Sequence, residues 1–304
     1  MIRAMYQVKN ASRSEFVPVR GLRYHLRCWG QPQPGTPPLL LLHGWMDVAA
    51  SFQFVVDALA QDRFIIAPDW RGFGLTASPG SDCFWYPDYL ADLDALLDHY
   101  APAGQVDLVG HSMGANVAMV YAGIRPQRVR RLVNLEGFGL PATQPEEAPQ
   151  RFAHWLDELH SARSGKLQLK FYGSLDAVAA RLIKTNARLG PDKARWLAGH
   201  WSAEVHPGQW HILAEAAHKL TNPQIYRVDE VLSIHRQITA PTLVVEALDD
   251  SIAHWWRGKF TRAEHRQRLQ AVPNLRIAEL PDCGHMLHHD QPEAVAKLLE
   301  DFLT

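Results

Sequence analysis

The chain has 304 residues, 47% of them hydrophobic, with 31 basic against 32 acidic side chains and a formal net charge of -1. That length supports a large buried core, and the near-neutral balance argues against nucleic acid or an anionic membrane surface as a partner. Three cysteines, Cys28, Cys83 and Cys283, are too few for a disulfide framework and read as reduced thiols, and the sixteen histidines lack metal-ligand spacing, so no metal site is expected.

Met1 to Phe16 is polar and mixed in charge, without the apolar core of a secretory signal, and no later run is long enough for a membrane span. The expected location is the cytoplasm. Phe16 to Val19 and Leu22 to Trp29, joined by Arg20-Gly21, predict an antiparallel hairpin. Leu39 to Leu42 is a continuous apolar run that suits a strand buried on both faces of a parallel sheet. Phe64 to Ala67 is the next such strand, closed by a loop in which Asp69 and Arg71 are expected to form a buried hydrogen-bonded pair. From Pro87 a helix begins, with Leu90, Leu93, Leu96 and Leu97 on one face and Asp92, Asp94 and Asp98 on the other. Strands at Val106 to Val109 and Val129 to Leu135 flank a helix over Ala115 to Ile124. This alternation predicts an α/β fold with a mostly parallel, doubly wound sheet.

At Leu140 the rhythm breaks into a proline-rich linker, and the chain reads as helical as far as Leu232. Phe152, Trp155, Leu156 and Leu159 share a face, Ser174 caps one helix, and Gly190-Pro191 separates two more. Residues 140–238 are therefore expected to form a helical cap, inserted between core segments 1–139 and 239–304, over the carboxyl ends of the strands where such sheets bind ligands. Strands at Thr242 to Val245 and Leu275 to Leu280 follow, and a helix burying Val295, Leu298, Leu299 and Phe302 ends the chain.

Chemistry concentrates at Val109-Gly110-His111-Ser112-Met113-Gly114, a G-x-S-x-G elbow between a strand and a helix. A serine hydroxyl is a weak nucleophile and must be presented on a sharp turn within reach of a base. The glycines leave room for that turn, and the N–H of Met113 at the helix start is a donor for a developing oxyanion. A base and a group to orient it are sought at later strand ends, where Asp250 and His285 stand.

Four separated motifs, LLLLHGW, APDWRGFG, VGHSMG and DCGHMLHHDQPEAV, carry a resemblance to the α/β-hydrolase superfamily over essentially the whole chain. The resemblance implies Ser112 as nucleophile, His285 as base and then acid, and Asp250 as the acid that orients the imidazole. Asp249 is adjacent to Asp250, and Glu136 ends an earlier strand at a position from which some relatives supply their acid. By the same resemblance the N–H of Trp45 joins that of Met113 in the oxyanion hole. His288 and His289 fall outside the Gly-His position and are expected at the surface, and no metal or organic cofactor is implied. Ala115 and Ala247 stand where relatives usually carry glycine.

A serine nucleophile argues against the dehalogenases and epoxide hydrolases of this superfamily. Met286 replaces the tryptophan usual in its carbon–carbon hydrolases, and NLEGFG and RLIKTNARLG look like the serine hydrolase-like proteins. The expected function is hydrolysis of a small-molecule carboxylic ester through an acyl-enzyme. Trp155, Trp196, Trp201, Trp210, Trp255 and Trp256 favour an apolar or aromatic substrate. The alternatives are a carbon–carbon hydrolase, a lactonase, or a hydrolase-fold ligand receptor with slow turnover.

Overall fold

An uninterrupted apolar run can remain a strand only where both of its faces are covered, and β3 (Leu39–Leu42) shows how this chain covers them. Leu40 and Leu42 join one core cluster with Leu93, Leu97 and Val117, while Leu39 and Leu41 join another with Val295 and Leu299. Alternate side chains of one strand thus feed two cores. The structure is a computed structural model that describes residues 5–304, so the first four residues of the Met1 to Phe16 stretch lie outside it.

Ahead of β3, β1 (Arg13–Val19) and β2 (Leu22–Trp29) form the expected hairpin, with Arg20 and Gly21 at positive φ in the turn. The core then runs through α1 (Gln53–Val56), β4 (Ile65–Pro68), α2 (Tyr86–Tyr100), β5 (Val106–His111), α3 (Met113–Ile124) and β6 (Val129–Leu135). The next segment holds α4 (Ala148–Arg163), β7 (Phe171–Tyr172), α5 (Leu175–Thr185), α6 (Pro191–Trp201), β8 (Ser202–His206), β9 (Gln209–Ile212) and α7 (Val228–His235). The chain ends with β10 (Thr242–Ala247), α8 (Ser251–Trp256), α9 (Arg262–Leu269), β11 (Leu275–Leu280), α10 (Leu287–Asp290) and α11 (Pro292–Leu303).

The eight-stranded sheet has the order β1-β2-β4-β3-β5-β6-β10-β11, antiparallel where β2 meets β1 and β4 and parallel from β4 onward. The segment between β6 and β10 is less uniformly helical than its sequence suggests. β7, β9 and β8 pair into a small antiparallel sheet, with Gly208 at φ 73° turning the chain between β8 and β9. Ser174 does cap α5, accepting from the N–H of Ala177, and α6 starts at Pro191. Among the described residues no helix is long and apolar enough to cross a membrane.

Two polar expectations change. Asp92 is fully buried, accepting from the Tyr24 hydroxyl at 2.7 Å, from Arg71 at two 2.6 Å contacts and from Arg20 at 3.0 Å. Asp69 is buried as well, but its partners are the His25 ring and the N–H groups of Ala49 and Leu75, not Arg71. The guanidinium lies along α2, where Asp92 gives it a bidentate partner and leaves no buried charge alone.

Several histidines are deeply buried. His43, His218 and His289 are buried, and burial pulls their pKa values down to about 4, about 3 and about 3. Each falls below the ordinary value of about 6.5, so between that pH and the folded values the unfolded chain binds protons that the folded one does not. The stability held above about pH 6.5 is therefore lost on acidification. The thermal midpoint is expected to be several degrees lower at about pH 5 than at about pH 7.5, and a flat profile in calorimetry would contradict this account.

Candidate active site

Ser112 occupies the junction of β5 and α3 with φ 52° and ψ -115°, a left-handed conformation that costs a non-glycine residue of order 1–3 kcal/mol. Its neighbours make that turn possible. A Cβ on Gly110 would lie 2.4 Å from the backbone nitrogen of Ala115, and one on Gly114 would lie 2.2 Å from the carbonyl oxygen of Leu42. The helix start therefore sits directly against the end of β3.

His285, in the loop after β11, has its Nε2 2.9 Å from the Ser112 hydroxyl oxygen. Its Nδ1 lies 3.4 Å from Oε2 of Glu136, which follows β6 at φ 55° and is 6% exposed. The other carboxylate oxygen of Glu136 accepts the N–H of Ala247 at 2.7 Å, which aims the side chain across the end of β10. Phe138 and Trp255 flank the imidazole, with ring centroids 5.5 and 5.6 Å away. A hydroxyl, an imidazole and a buried carboxylate in series can move a proton off the serine and hold the imidazolium that results.

The carboxylate that lies beside His285 is not the one expected. Asp250 is exposed and serves as the N-cap of α8, its carboxylate accepting the N–H of Ala253 at 2.9 Å. Asp249 is exposed too and pairs with Arg188 at 2.9 Å. Because α8 begins at Ser251, Asp250 is held at the helix start, while Glu136 reaches the imidazole from the next strand across. The sequence signal for Glu136 was a carboxylate between an apolar strand and Gly137.

Trp45 and Met113 both line the cavity beside Ser112, and neither N–H is used in a turn or cap hydrogen bond among the described residues. The Trp45 indole donates to the carbonyl of His218, whose ring is stacked between Phe73 and Phe84 with centroids 3.7 Å from each. The cavity measures about 860 Å³. Trp155, Trp201, Trp255 and Trp256 belong to its wall, joined by Trp85 and Phe84, whereas Trp196 and Trp210 pack into the cluster around α5 and α6. His288 and His289, expected at the surface, are 0% and 4% exposed, because the single turn of α10 tucks them against Phe52 and Phe54.

The fold is that of a hydrolase built on a doubly wound sheet, and the chain belongs to the alpha/beta hydrolase fold family, whose pattern matches residues 37–292. It is 25% identical over 298 residues to a serine hydrolase-like protein of Danio rerio, covering 95% of this chain and 88% of the relative. A 2-hydroxymuconate semialdehyde hydrolase of Pseudomonas sp. strain CF600 is 35% identical over 279 residues, covering 88% of this chain and 87% of the relative. Among solved structures, the thioesterase domain from the curacin biosynthetic pathway superposes with a TM-score of 0.82 at 24% identity, covering 96% of this chain and 100% of that one.

Removing the Glu136 charge should separate the two carboxylate assignments. Glu136→Gln is expected to lower kcat for a Ser112-dependent reaction by roughly 10²–10⁴-fold. Asp250→Asn keeps a capping side chain and is expected to stay within about threefold of wild type. Equal losses in both variants, read by steady-state kinetics, would contradict the geometry.

Proposed function

We propose that the protein is a serine hydrolase that cleaves a carboxylic ester of an apolar or aromatic small molecule through an acyl-enzyme. The observation that carries this reading is the 2.9 Å contact between His285 and Ser112, with Glu136 behind it, in the wall of an aromatic-lined cavity of about 860 Å³. The substrate carbonyl lies over Ser112, and His285 takes the hydroxyl proton as Oγ attacks the carbon. The N–H groups of Trp45 and Met113 receive the oxyanion. His285 then protonates the departing alcohol, and water, deprotonated by the same imidazole, releases the acid. Residues 140–238 act as the cap over this cleft, supplying Trp155, and the core segments 1–139 and 239–304 supply the reacting groups. The free cysteines Cys28, Cys83 and Cys283 suit a reducing compartment, so the cytoplasm is the proposed location.

A second reading is hydrolysis of a carbon–carbon bond in a ring-cleavage product. The 35% identity to a 2-hydroxymuconate semialdehyde hydrolase favours it, and Met286, where tryptophan is usual in that group, weighs against it. A panel of p-nitrophenyl esters from acetyl to long acyl and aryl, run beside a vinylogous diketone, decides between them. Multiple turnover of an ester, reduced at least about 10³-fold by Ser112→Ala, is the expected result. Turnover of the diketone alone would move the assignment to carbon–carbon cleavage, and undiminished ester hydrolysis by the variant would end both readings.

A further inference from the structure

Behind Ser112 and His285, three buried side chains from opposite ends of the chain meet. Asp47 follows the Trp45 loop, and His288 and His289 belong to α10. Each offers one ligand atom, and the three atoms lie within 4.8 Å of one another, with His288 Nε2 4.0 Å from Asp47 Oδ2. Several of these atoms have no other use. Asp47 Oδ2 and both ring nitrogens of His288 have no hydrogen-bond partner among the described residues, although His288 is 0% and Asp47 7% exposed. Orphaned polar atoms at such depth cost of order 1–3 kcal/mol each. A group that accepts lone pairs from a carboxylate and two imidazoles at once would remove that cost for Asp47 Oδ2 and one His288 nitrogen, and this donor set is the one that zinc-class ions select.

Two further features fit. The Ser51 hydroxyl bonds both Asp47 Oδ1 and His289 Nε2, and the N–H of Val48 also donates to Asp47 Oδ1, so two of the three groups are oriented from outside, as ligands at metal sites are. Asp47 and His289 also form part of the wall of the substrate cavity, which gives an ion a route in.

We propose that Asp47, His288 and His289 form an inhibitory site for a divalent transition-metal ion of the zinc class. With metal–nitrogen bonds of about 2.0 Å, neighbouring ligand atoms of a tetrahedral ion stand roughly 3.3 Å apart. The three groups must therefore close by up to about 1.5 Å from their widest spacing. α10 is the element that yields, and His285 lies three residues before His288 on the same stretch of chain. His111 links them further: its Nε2 bonds the His285 carbonyl at 2.7 Å, and its ring centroid is 4.2 Å from that of His288. Closing the site draws His285 off Ser112, and a displacement of about 1 Å is enough to cost on the order of 10² in rate. The inhibitory effect rests on the serine hydrolase reading, whereas binding of the ion does not.

The test uses the full chain with metal alone as the probe. Wild type is expected to bind one Zn²⁺ by equilibrium dialysis and to give the visible absorption of four-coordinate Co²⁺, and both signals are expected to vanish in His288→Gln. Zn²⁺ is expected to lower kcat for an ester at least about tenfold with KM unchanged, reversibly with a chelator, and His288→Gln and His289→Asn should each escape. Absence of binding in wild type would overturn the site, leaving water as the partner of the orphaned atoms. Binding without inhibition would overturn the inhibitory role. Inhibition that persists equally in both variants would place the ion on His285 and Glu136 and overturn the assignment. If His288→Gln does not fold, the same measurements on His289→Asn decide the matter. If wild type turns over no ester, the Co²⁺ spectrum and the dialysis still decide whether the ion binds.

Discussion

The close approach of α3 to the end of β3 is the constraint on which the rest of the site depends. Any side chain at Gly114 would strike the Leu42 carbonyl, so only the bare backbone lets the helix start where it does and lets Ser112 turn out of the sheet. The same meeting point governs the Trp45 loop. His43, directly after β3, accepts the Trp70 N–H at Nε2 and bonds the Gly44 carbonyl through Nδ1, while the Trp70 indole donates to the His43 carbonyl. Both backbone donors proposed for the oxyanion hole therefore sit among contacts around the end of one four-residue strand.

The parts of the fold that were legible in sequence are those where one local rule leaves few choices. Four leucines in a row at β3 have no stable position except between two apolar layers, and a serine between two glycines after such a strand has few uses. The carboxylate that meets His285 was harder to read because β6 and β10 are both followed by acidic residues, Glu136 after one and Asp249 and Asp250 after the other. Which one meets the imidazole depends on how far each side chain reaches and on what else claims it. Asp250 is claimed by the first turn of α8, and that boundary carries no distinctive sequence mark.

Burial of polar residues was the other limit. Asp92 sits at a position that alternation with leucines would give to solvent, and only the arrival of Tyr24, Arg71 and Arg20 from other elements makes its burial tolerable. His288 and His289 read as surface because histidine is polar on average, yet a neutral imidazole packs well on an aromatic ring, and Phe52 and Phe54 supply such rings. The small sheet of β7, β9 and β8 was missed for a related reason. Short, half-exposed strands have little hydrophobic periodicity to declare them.

The contact between Trp45 and His218 ties the segment between β6 and β10 to the end of β3. His218 comes late in the segment between β6 and β10, yet its carbonyl holds the indole of the loop that carries a proposed oxyanion donor, and its ring is clasped between Phe73 and Phe84. Without that contact the Trp45 indole would lose its hydrogen-bond acceptor. One hydrogen bond thus couples the segment between β6 and β10 to the loop beside the serine, so removing that segment would free the indole as well as open the cleft.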